Sequence, residues 1–123
     1  MTVSPASAVV LVVEDDPLLM MAMVDFVEQA GCEAIEANTI AEAIRVLETR
    51  TDVRTVFTDL DMRGSTAGMK LALVIRDRWP PIELILTSSR GQPQDHEMPK
   101  RGVYVDKPFD RRKIVSAIRQ FAA

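Results

Sequence analysis

The chain has 123 residues, of which 47% are hydrophobic and 27% charged, and its formal net charge is −3. These values suit one globular domain over residues 1–123, preceded by a flexible N-terminus over 1–7, and they exclude disorder and binding of nucleic acid through bulk electrostatics. A single cysteine, Cys32, precludes an internal disulfide, and no segment has the pattern of a signal peptide or membrane span, so we expect a cytoplasmic protein without a membrane partner.

Strand-like and helix-like patterns alternate five times along the chain, which predicts a parallel sheet covered by helices on both faces. The first helix is expected over about 17–30, because Asp16-Pro17 forms an N-cap followed by proline and Gly31 ends the pattern. The second helix begins with a capping box at Thr39 to Glu42. The strands are predicted over 9–13, 34–37, 55–58, 82–86 and 103–105.

The third helix follows a loop rich in Gly, Ser and Thr and ends at Trp79-Pro80-Pro81. Leu71 and Ile75 are expected to face inward, with Val74 as a further candidate. The segment from Arg90 to Gly102 is rich in Gly and Pro and has almost no apolar periodicity, so a regular helix is not expected there. A last helix, capped by Asp110, carries Ile114, Ile118 and Phe121 on one face.

Methionines crowd the first helix at positions 20, 21 and 23. Packing of these flexible side chains in the core is favoured over a peptide-binding surface.

Chemistry-bearing residues follow three of the predicted strands at their carboxyl ends. The first strand runs into Glu14-Asp15-Asp16, the third into Asp59 and the fifth into Asp106-Lys107-Pro108. If the three strands are parallel neighbours, an acidic cluster, a lone carboxylate and an ammonium group meet at one edge of the sheet. Open α/β sheets usually place their binding sites at this edge.

Four motifs appear in chain order at strand ends: Val12 to Pro17, Thr58 to Met62, Leu86 to Ser88 and Val105 to Phe109. Together they make the whole chain resemble a CheY-like receiver domain of the response regulators of bacterial two-component signalling. The resemblance implies an α/β, flavodoxin-like doubly wound fold with a five-stranded parallel sheet in the order 2-1-3-4-5. The irregular segment implies that the fourth helix of this fold is irregular or shortened here.

The resemblance also assigns a phosphoacceptor role to Asp59. Transfer of a phosphoryl group to a carboxylate needs an ionised oxygen in line with phosphorus and cationic groups that neutralise the other oxygens. Lys107 is implied to contact a phosphoryl oxygen, and the family places a cis peptide bond between Lys107 and Pro108. Thr87 and Tyr104 are implied to be the switch residues that respond to the phosphoryl group.

The same resemblance implies a Mg²⁺ site, with Asp15 and Asp59 as direct ligands, Glu14 acting mainly through a water, and the backbone carbonyl of Asp61 as a further oxygen ligand. Magnesium prefers octahedral oxygen ligands and usually keeps several waters. Helix capping is the favoured role of Asp16 alone. It cannot easily account for Glu14, Asp15 and Asp59 together, because neighbouring carboxylates repel one another.

The implied partner is a histidine kinase or a histidine phosphotransfer protein, and the downstream protein target stays open. The implied function is a signalling switch, not an enzyme: it catalyses only its own phosphorylation and slow autodephosphorylation. In the family, the residues two after the acceptor and two after the threonine tune that hydrolysis, and here these are Asp61 and Ser89.

Two alternatives are weighed against this interpretation. The run from Val56 to Asp61 also resembles the nucleophile motif of haloacid-dehalogenase-type phosphatases, although those enzymes place it at the first strand and need a longer chain. A receiver-like binding module that is never phosphorylated is the other alternative. Departures from the family pattern in the loop 62–68 favour this second alternative. A proline is absent there, Ala67 replaces an aspartate, and Gly68 lies one position further from Asp59 than is usual in the family.

Overall fold

The structure is a computed structural model that describes residues 8–62, 67–89 and 91–122. The predicted flexible N-terminus and positions 63–66 of the loop 62–68 lie outside the described residues. The described chain alternates strand and helix in the expected order. The elements are β1 (Val9–Val13), α1 (Pro17–Gln29), β2 (Glu33–Ala37), α2 (Ile40–Thr49), β3 (Val53–Asp59), α3 (Ala67–Arg78), β4 (Glu83–Ser88), β5 (Gly102–Asp106) and α4 (Arg111–Ala122).

The five strands form one parallel sheet in the order β2-β1-β3-β4-β5, so the predicted fold class and strand order are confirmed. The register places Asp59 at the end of β3 beside Thr87 on β4. It also places Ser88 beside Asp106 on β5. Because all five strands are parallel, their carboxyl ends meet at the same edge, and the residues that follow β1, β3 and β5 meet there.

Two hydrophobic clusters cover the faces of the sheet, as a doubly wound fold requires. On one face, alternate residues of β1, β3 and β4 pack with α2 and α3. On the other face, α1 and α4 cover the remaining residues of the same strands. Phe57 lies at the centre of the second face, where Phe109 meets both Phe57 and Phe26 edge to face. These clusters hold the strand ends in fixed relative positions.

The predicted helix starts are present, with one difference in detail. Asp16 Oδ1 accepts a hydrogen bond from Leu18 N at 2.9 Å, which confirms the N-cap of α1. Thr39 Oγ1 accepts from Glu42 N at 3.1 Å. The Glu42 carboxylate, however, accepts from Asn38 N at 2.8 Å, one residue earlier than in a standard capping box. Asp110 caps α4 through the N–H of Arg112, at 3.0 Å.

The segment after β4 contains no regular α-helix in its described part. Residues 91–101 form only a 3₁₀ turn at Asp95–Glu97, which confirms the irregular fourth connection. None of the helices among the described residues has the length and apolar character that crossing a bilayer requires.

Two predictions of inward-facing side chains are wrong. Val74 on α3 is 37% exposed, whereas Leu71 and Ile75 on the same helix are buried as predicted. Met21 on α1 is 68% exposed, whereas Met20 and Met23 are in the core. Both exposed residues lie just outside the stripe that meets the sheet, since a helix of 3.6 residues per turn buries only part of its circumference.

Candidate functional site

The Asp59 carboxylate is held from two sides at the carboxyl edge of the sheet. It is buried at the end of β3, with 5% of its surface exposed. Its Oδ1 atom accepts a hydrogen bond from Asp61 N at 2.8 Å, and its Oδ2 atom accepts from Lys107 Nζ at 2.7 Å. Lys107 follows β5, which lies two strands from β3 in the sheet, so its long side chain extends past β4 to reach the Asp59 carboxylate. The structure therefore brings Asp59 and Lys107 together, as the strand-end pattern predicts.

The backbone next to Asp59 is closely covered by Gly68, the second residue of α3. A Cβ atom at position 68 would come within 2.6 Å of Leu60 Cα and would also meet the carbonyl oxygen of Asp59. Real Cβ atoms do not approach backbone atoms this closely, so only glycine fits here. The displaced glycine of the loop 62–68 thus sets the distance between α3 and the Asp59 backbone.

Glu14 lies beside Asp59 as a nearly inaccessible carboxylate, 2% exposed. Its Oε2 atom accepts hydrogen bonds from Asp15 N at 3.0 Å and from Asp16 N at 2.9 Å. Its Oε1 atom is buried without a hydrogen-bond partner. Burial is the main cause that raises the pKa of Glu14 to about 8, and the nearby carboxyl groups of Asp59 and Asp15 raise it further. A cation bound here would stabilise the ionised form of Glu14, which burial and the neighbouring carboxyl groups disfavour.

The acidic residues suit a hard cation through their chemistry. Within 8–62, 67–89 and 91–122, no three Cys, His, Asp or Glu side chains form a ready-made set of metal ligands. A Mg²⁺ ion needs no such set, because it keeps several waters and usually takes one or two carboxylates from the protein. The orphaned Glu14 Oε1 atom is an oxygen that a cation, or a water bound to one, would satisfy. The residues present therefore fit Mg²⁺.

Thr87 and Tyr104 lie close to this cluster, on β4 and β5. Thr87 is fully buried, and its Oγ1 atom has no hydrogen-bond partner. The Tyr104 hydroxyl donates to the carbonyl oxygen of Ser88 at 3.0 Å. Burial raises the pKa of Tyr104, and the charges of Asp106, Asp61 and Asp59 contribute in the same direction. The charges of the site therefore contribute to the pKa of Tyr104, after burial.

Asp61 joins the loop after β3 to the end of β4. Its Oδ2 atom accepts hydrogen bonds from Ser88 Oγ at 2.8 Å, from Ser89 N at 2.6 Å and from Ser89 Oγ at 2.8 Å. The two positions implied to tune hydrolysis, Asp61 and Ser89, are thus in direct contact. Ser88 is a further residue of this contact, and its place directly after Thr87 at the end of β4 is the signal in the sequence that points to it.

The two remaining features are the predicted cap and the backbone after β5. Asp16 serves as the N-cap of α1, which confirms helix capping as its role. The Lys107–Pro108 peptide bond is cis, as the resemblance implies.

An exposed apolar pair adjoins the site on the first turns of α1. Leu18 is 78% exposed and Met21 is 68% exposed. They are three residues apart and therefore lie on the same side of the helix. Since α1 begins two residues after Asp15, this pair lies on the helix that follows the acidic cluster in the chain.

Comparisons with known proteins agree with this geometry. The chain matches the response regulator receiver domain over residues 10–119. It is 30% identical over 119 residues to the response regulator protein FleR of Pseudomonas aeruginosa, covering 94% of this chain but 25% of that protein, so it spans about a quarter of the relative's length.

Solved structures show the same fold. A response regulator receiver domain protein of Clostridium thermocellum has a TM-score of 0.80 at 21% identity, with 94% of each chain covered. A response regulator receiver protein of Pseudomonas putida has a TM-score of 0.76 at 24% identity, covering 94% of this chain and 98% of that one. The chain belongs to the response regulator receiver domain family, whose members are the signalling switches of two-component systems.

Proposed function

We propose that Asp59 accepts a phosphoryl group from the phosphohistidine of a histidine kinase or histidine phosphotransfer protein. The observation that carries this proposal is the buried Asp59 carboxylate at the end of β3, with Lys107 Nζ 2.7 Å from its Oδ2 atom and the acidic Glu14 beside it. A carboxylate nucleophile, a cation for the transferred group and acidic oxygen ligands for a metal ion are the parts that acyl phosphate formation requires.

In the proposed reaction, a carboxylate oxygen of Asp59 forms a bond to phosphorus while the bond from phosphorus to the donor's imidazole nitrogen breaks. The bonding electron pair stays on that nitrogen. Lys107 holds the Asp59 oxygen in the resting state. Because the phosphoryl group brings more negative charge than the carboxylate, the ammonium group then pairs with a phosphoryl oxygen.

Glu14, Asp15, Asp59 and the backbone carbonyl of Asp61 are the proposed ligands of Mg²⁺. When bound, Mg²⁺ would neutralise negative charge on the phosphoryl oxygens during transfer. Asp15 borders the site with its side chain partly exposed, whereas Glu14 is enclosed and held through Oε2 by two backbone N–H groups. The enclosed carboxylate suits a role through water, and the more accessible Asp15 suits direct contact.

The proposed output is a change in a protein-interaction surface, transmitted by Thr87 and Tyr104. The Thr87 hydroxyl has no partner in the resting structure, so a phosphoryl oxygen on the neighbouring Asp59 is a group that it would bind. A shift from about 1:99 to 99:1 between two conformations requires about 5.5 kcal/mol of differential binding. Hydrogen bonds and ion pairs of a dianion with Thr87, Lys107 and the metal are of this order.

The chain is proposed to catalyse only its own phosphorylation and slow loss of the phosphoryl group, and to turn over no separate substrate. The deciding experiment incubates the protein with acetyl phosphate and Mg²⁺ and measures phosphorylation by intact-mass spectrometry. We expect one phosphoryl group per chain on the native protein and none on Asp59→Ala. Asp16→Asn is the matched control, since asparagine caps a helix as well as aspartate does, and it should be phosphorylated normally.

Other outcomes would support the alternatives. Absence of phosphorylation with acetyl phosphate and with every kinase tested would favour a receiver-like module that only binds partners. Continuous hydrolysis of a phosphomonoester would favour phosphatase chemistry.

The exposed pair Leu18 and Met21 is the proposed contact for the phosphodonor protein. A donor histidine that reaches Asp59 must bring its own domain over the edge where α1 begins, and these side chains lie there. A charge placed on this pair, as in Leu18→Glu or Met21→Glu, should slow phosphotransfer from a cognate kinase at least tenfold, because burying an unpaired carboxylate costs several kcal/mol. Phosphorylation by acetyl phosphate should not change, and an equal loss with both donors would contradict the proposed contact.

A further inference from the structure

Ser88 connects the loop after the acceptor with the switch tyrosine. Its Oγ atom donates to Asp61 Oδ2 at 2.8 Å, and its carbonyl oxygen accepts from the Tyr104 hydroxyl at 3.0 Å. The residue is 5% exposed, so water competes little for either contact. These contacts form a bridge of Asp61, Ser88 and Tyr104 that runs across the carboxyl ends of β3, β4 and β5.

At the Asp61 end of this bridge, a single carboxylate oxygen accepts three hydrogen bonds. Asp61 Oδ2 also accepts from the N–H of Ser89 at 2.6 Å and from its hydroxyl at 2.8 Å. Hydrogen bonds to an ionised carboxylate are roughly twice as strong as those between neutral groups. The turn that follows β4 is therefore held to the loop after β3 by three charge-assisted bonds.

Thr87 is the residue whose movement the bridge restrains. It directly precedes Ser88, and its carbonyl oxygen accepts from Leu60 N at 2.8 Å. Its hydroxyl is buried without a partner in this arrangement. Any shift of the end of β4 that turns the Thr87 hydroxyl toward a group on Asp59 is opposed by the bonds from Ser88 and Ser89 to Asp61.

We propose that Ser88 is a positioning residue that keeps Thr87 and Tyr104 in the resting arrangement by binding Asp61 with its side chain and Tyr104 with its carbonyl. This inference rests on the proposed function of Asp59, because it states how the unphosphorylated state of that site is maintained. Loss of the Ser88 hydroxyl then removes one of the three bonds that hold the end of β4 to Asp61 and brings the protein closer to its phosphorylated conformation. Phosphorylation becomes faster, which is the opposite of what simple damage to the site would do.

The first measurement uses the resting protein alone. The chain contains a single tyrosine, so incorporation of 3-fluorotyrosine gives one ¹⁹F resonance, from Tyr104. We expect the resonance to move in Ser88→Ala and in Asp61→Ala, and the double variant to match Asp61→Ala, because Asp61→Ala already removes the contact that Ser88→Ala breaks. Ser116→Ala, at an exposed serine of α4, is the matched control and should leave it in place.

The second measurement is the rate of phosphorylation by acetyl phosphate. We expect Ser88→Ala to react about tenfold faster than the native protein, the lower end of what loss of one hydrogen bond to a charged group produces. Its phosphorylated form should show the same Tyr104 resonance as the phosphorylated native protein. The Ser116→Ala control should react at the native rate.

The outcomes separate this inference from the proposed function. A moved Tyr104 resonance in Ser88→Ala, with no phosphorylation of any variant or of the native protein, would refute phosphoacceptance but support the bridge. An unmoved resonance would overturn the bridge whatever the phosphorylation result. An equal or slower rate for Ser88→Ala, in a native background that is phosphorylated, would also overturn it.

Discussion

Replacement of Glu14 by glutamine should remove a pH-dependent loss of stability from the metal-free protein. Burial and the neighbouring carboxyl groups raise the pKa of Glu14 from 4.5 to about 8 in the folded state. In the unfolded chain the pKa returns to its ordinary value. Between the two values the folded protein keeps a proton that the unfolded chain has released, so stability decreases as pH rises. The stability that the protonated Glu14 contributes is complete below about pH 4.5 and is lost as pH rises through about 8.

The size of this effect follows from the same two values. At about 1.36 kcal/mol per pKa unit, the difference between 4.5 and about 8 sets an upper limit of about 5 kcal/mol on the loss. Glutamine has nearly the same shape, keeps an oxygen that accepts the N–H groups of Asp15 and Asp16, and does not ionise. The Glu14→Gln protein should therefore lack this part of the pH dependence while it keeps the fold.

The assay is urea unfolding in EDTA at several values from about pH 5 to about pH 8.5, a range that covers most of the titration. We expect the free energy of unfolding of Glu14→Gln to exceed that of the native protein by a margin that grows by several kcal/mol toward high pH. Glu36→Gln, at an exposed residue of β2, makes the same change in net charge and is the control. Parallel pH profiles of the native protein and Glu14→Gln would refute the reasoning.

Three further predictions concern Mg²⁺ binding, the contact of Gly68 on α3 with the Leu60 backbone, and the Lys107 ammonium group. Millimolar Mg²⁺ should raise the melting temperature, because carboxylates about 5 Å apart repel by roughly 3 kcal/mol per pair, and Asp15→Asn should remove most of the gain in a thermal scan. Equal stabilisation of the variant would place the cation elsewhere. Gly68→Ala should cost about 1–3 kcal/mol in urea unfolding although alanine favours helix, because its Cβ meets the Leu60 backbone at 2.6 Å, and a gain in stability would contradict this contact. Lys107→Ala should slow phosphorylation by acetyl phosphate at least tenfold, since it removes the cation paired with Asp59, whereas the exposed Lys100→Ala should react normally.

The order of strands and helices was predictable because each element carries its own local signal. Asp16-Pro17 and Asp110 set helix starts through hydrogen bonds to N–H groups within the next few residues. The interruption at 90–102 was equally local, since glycine and proline remove periodicity wherever they occur. Positions at the margin of a helix face were not predictable in this way. The predictions that Val74 and Met21 are buried were wrong, because the exposure of these side chains depends on which neighbouring element covers the helix.

The meeting of these strand-end residues at one edge was predictable, and the contacts among them were not. A parallel sheet brings the residues that follow β1, β3 and β5 to one edge, so the proximity of Glu14, Asp59 and Lys107 follows from topology. The raised pKa of Glu14 does not, because it depends on how completely the surrounding chain excludes water.

What the amino-acid order determined alone is the set of elements, their ends and the chemical groups placed at those ends, because all of these depend on neighbours within a few residues. Tertiary structure decided the distances among those groups. Asp61 and Ser88 meet at 2.8 Å across 27 positions of chain, and Gly68 faces Leu60 across a loop. Such contacts arise from the packing of whole elements against the sheet, which no local pattern encodes.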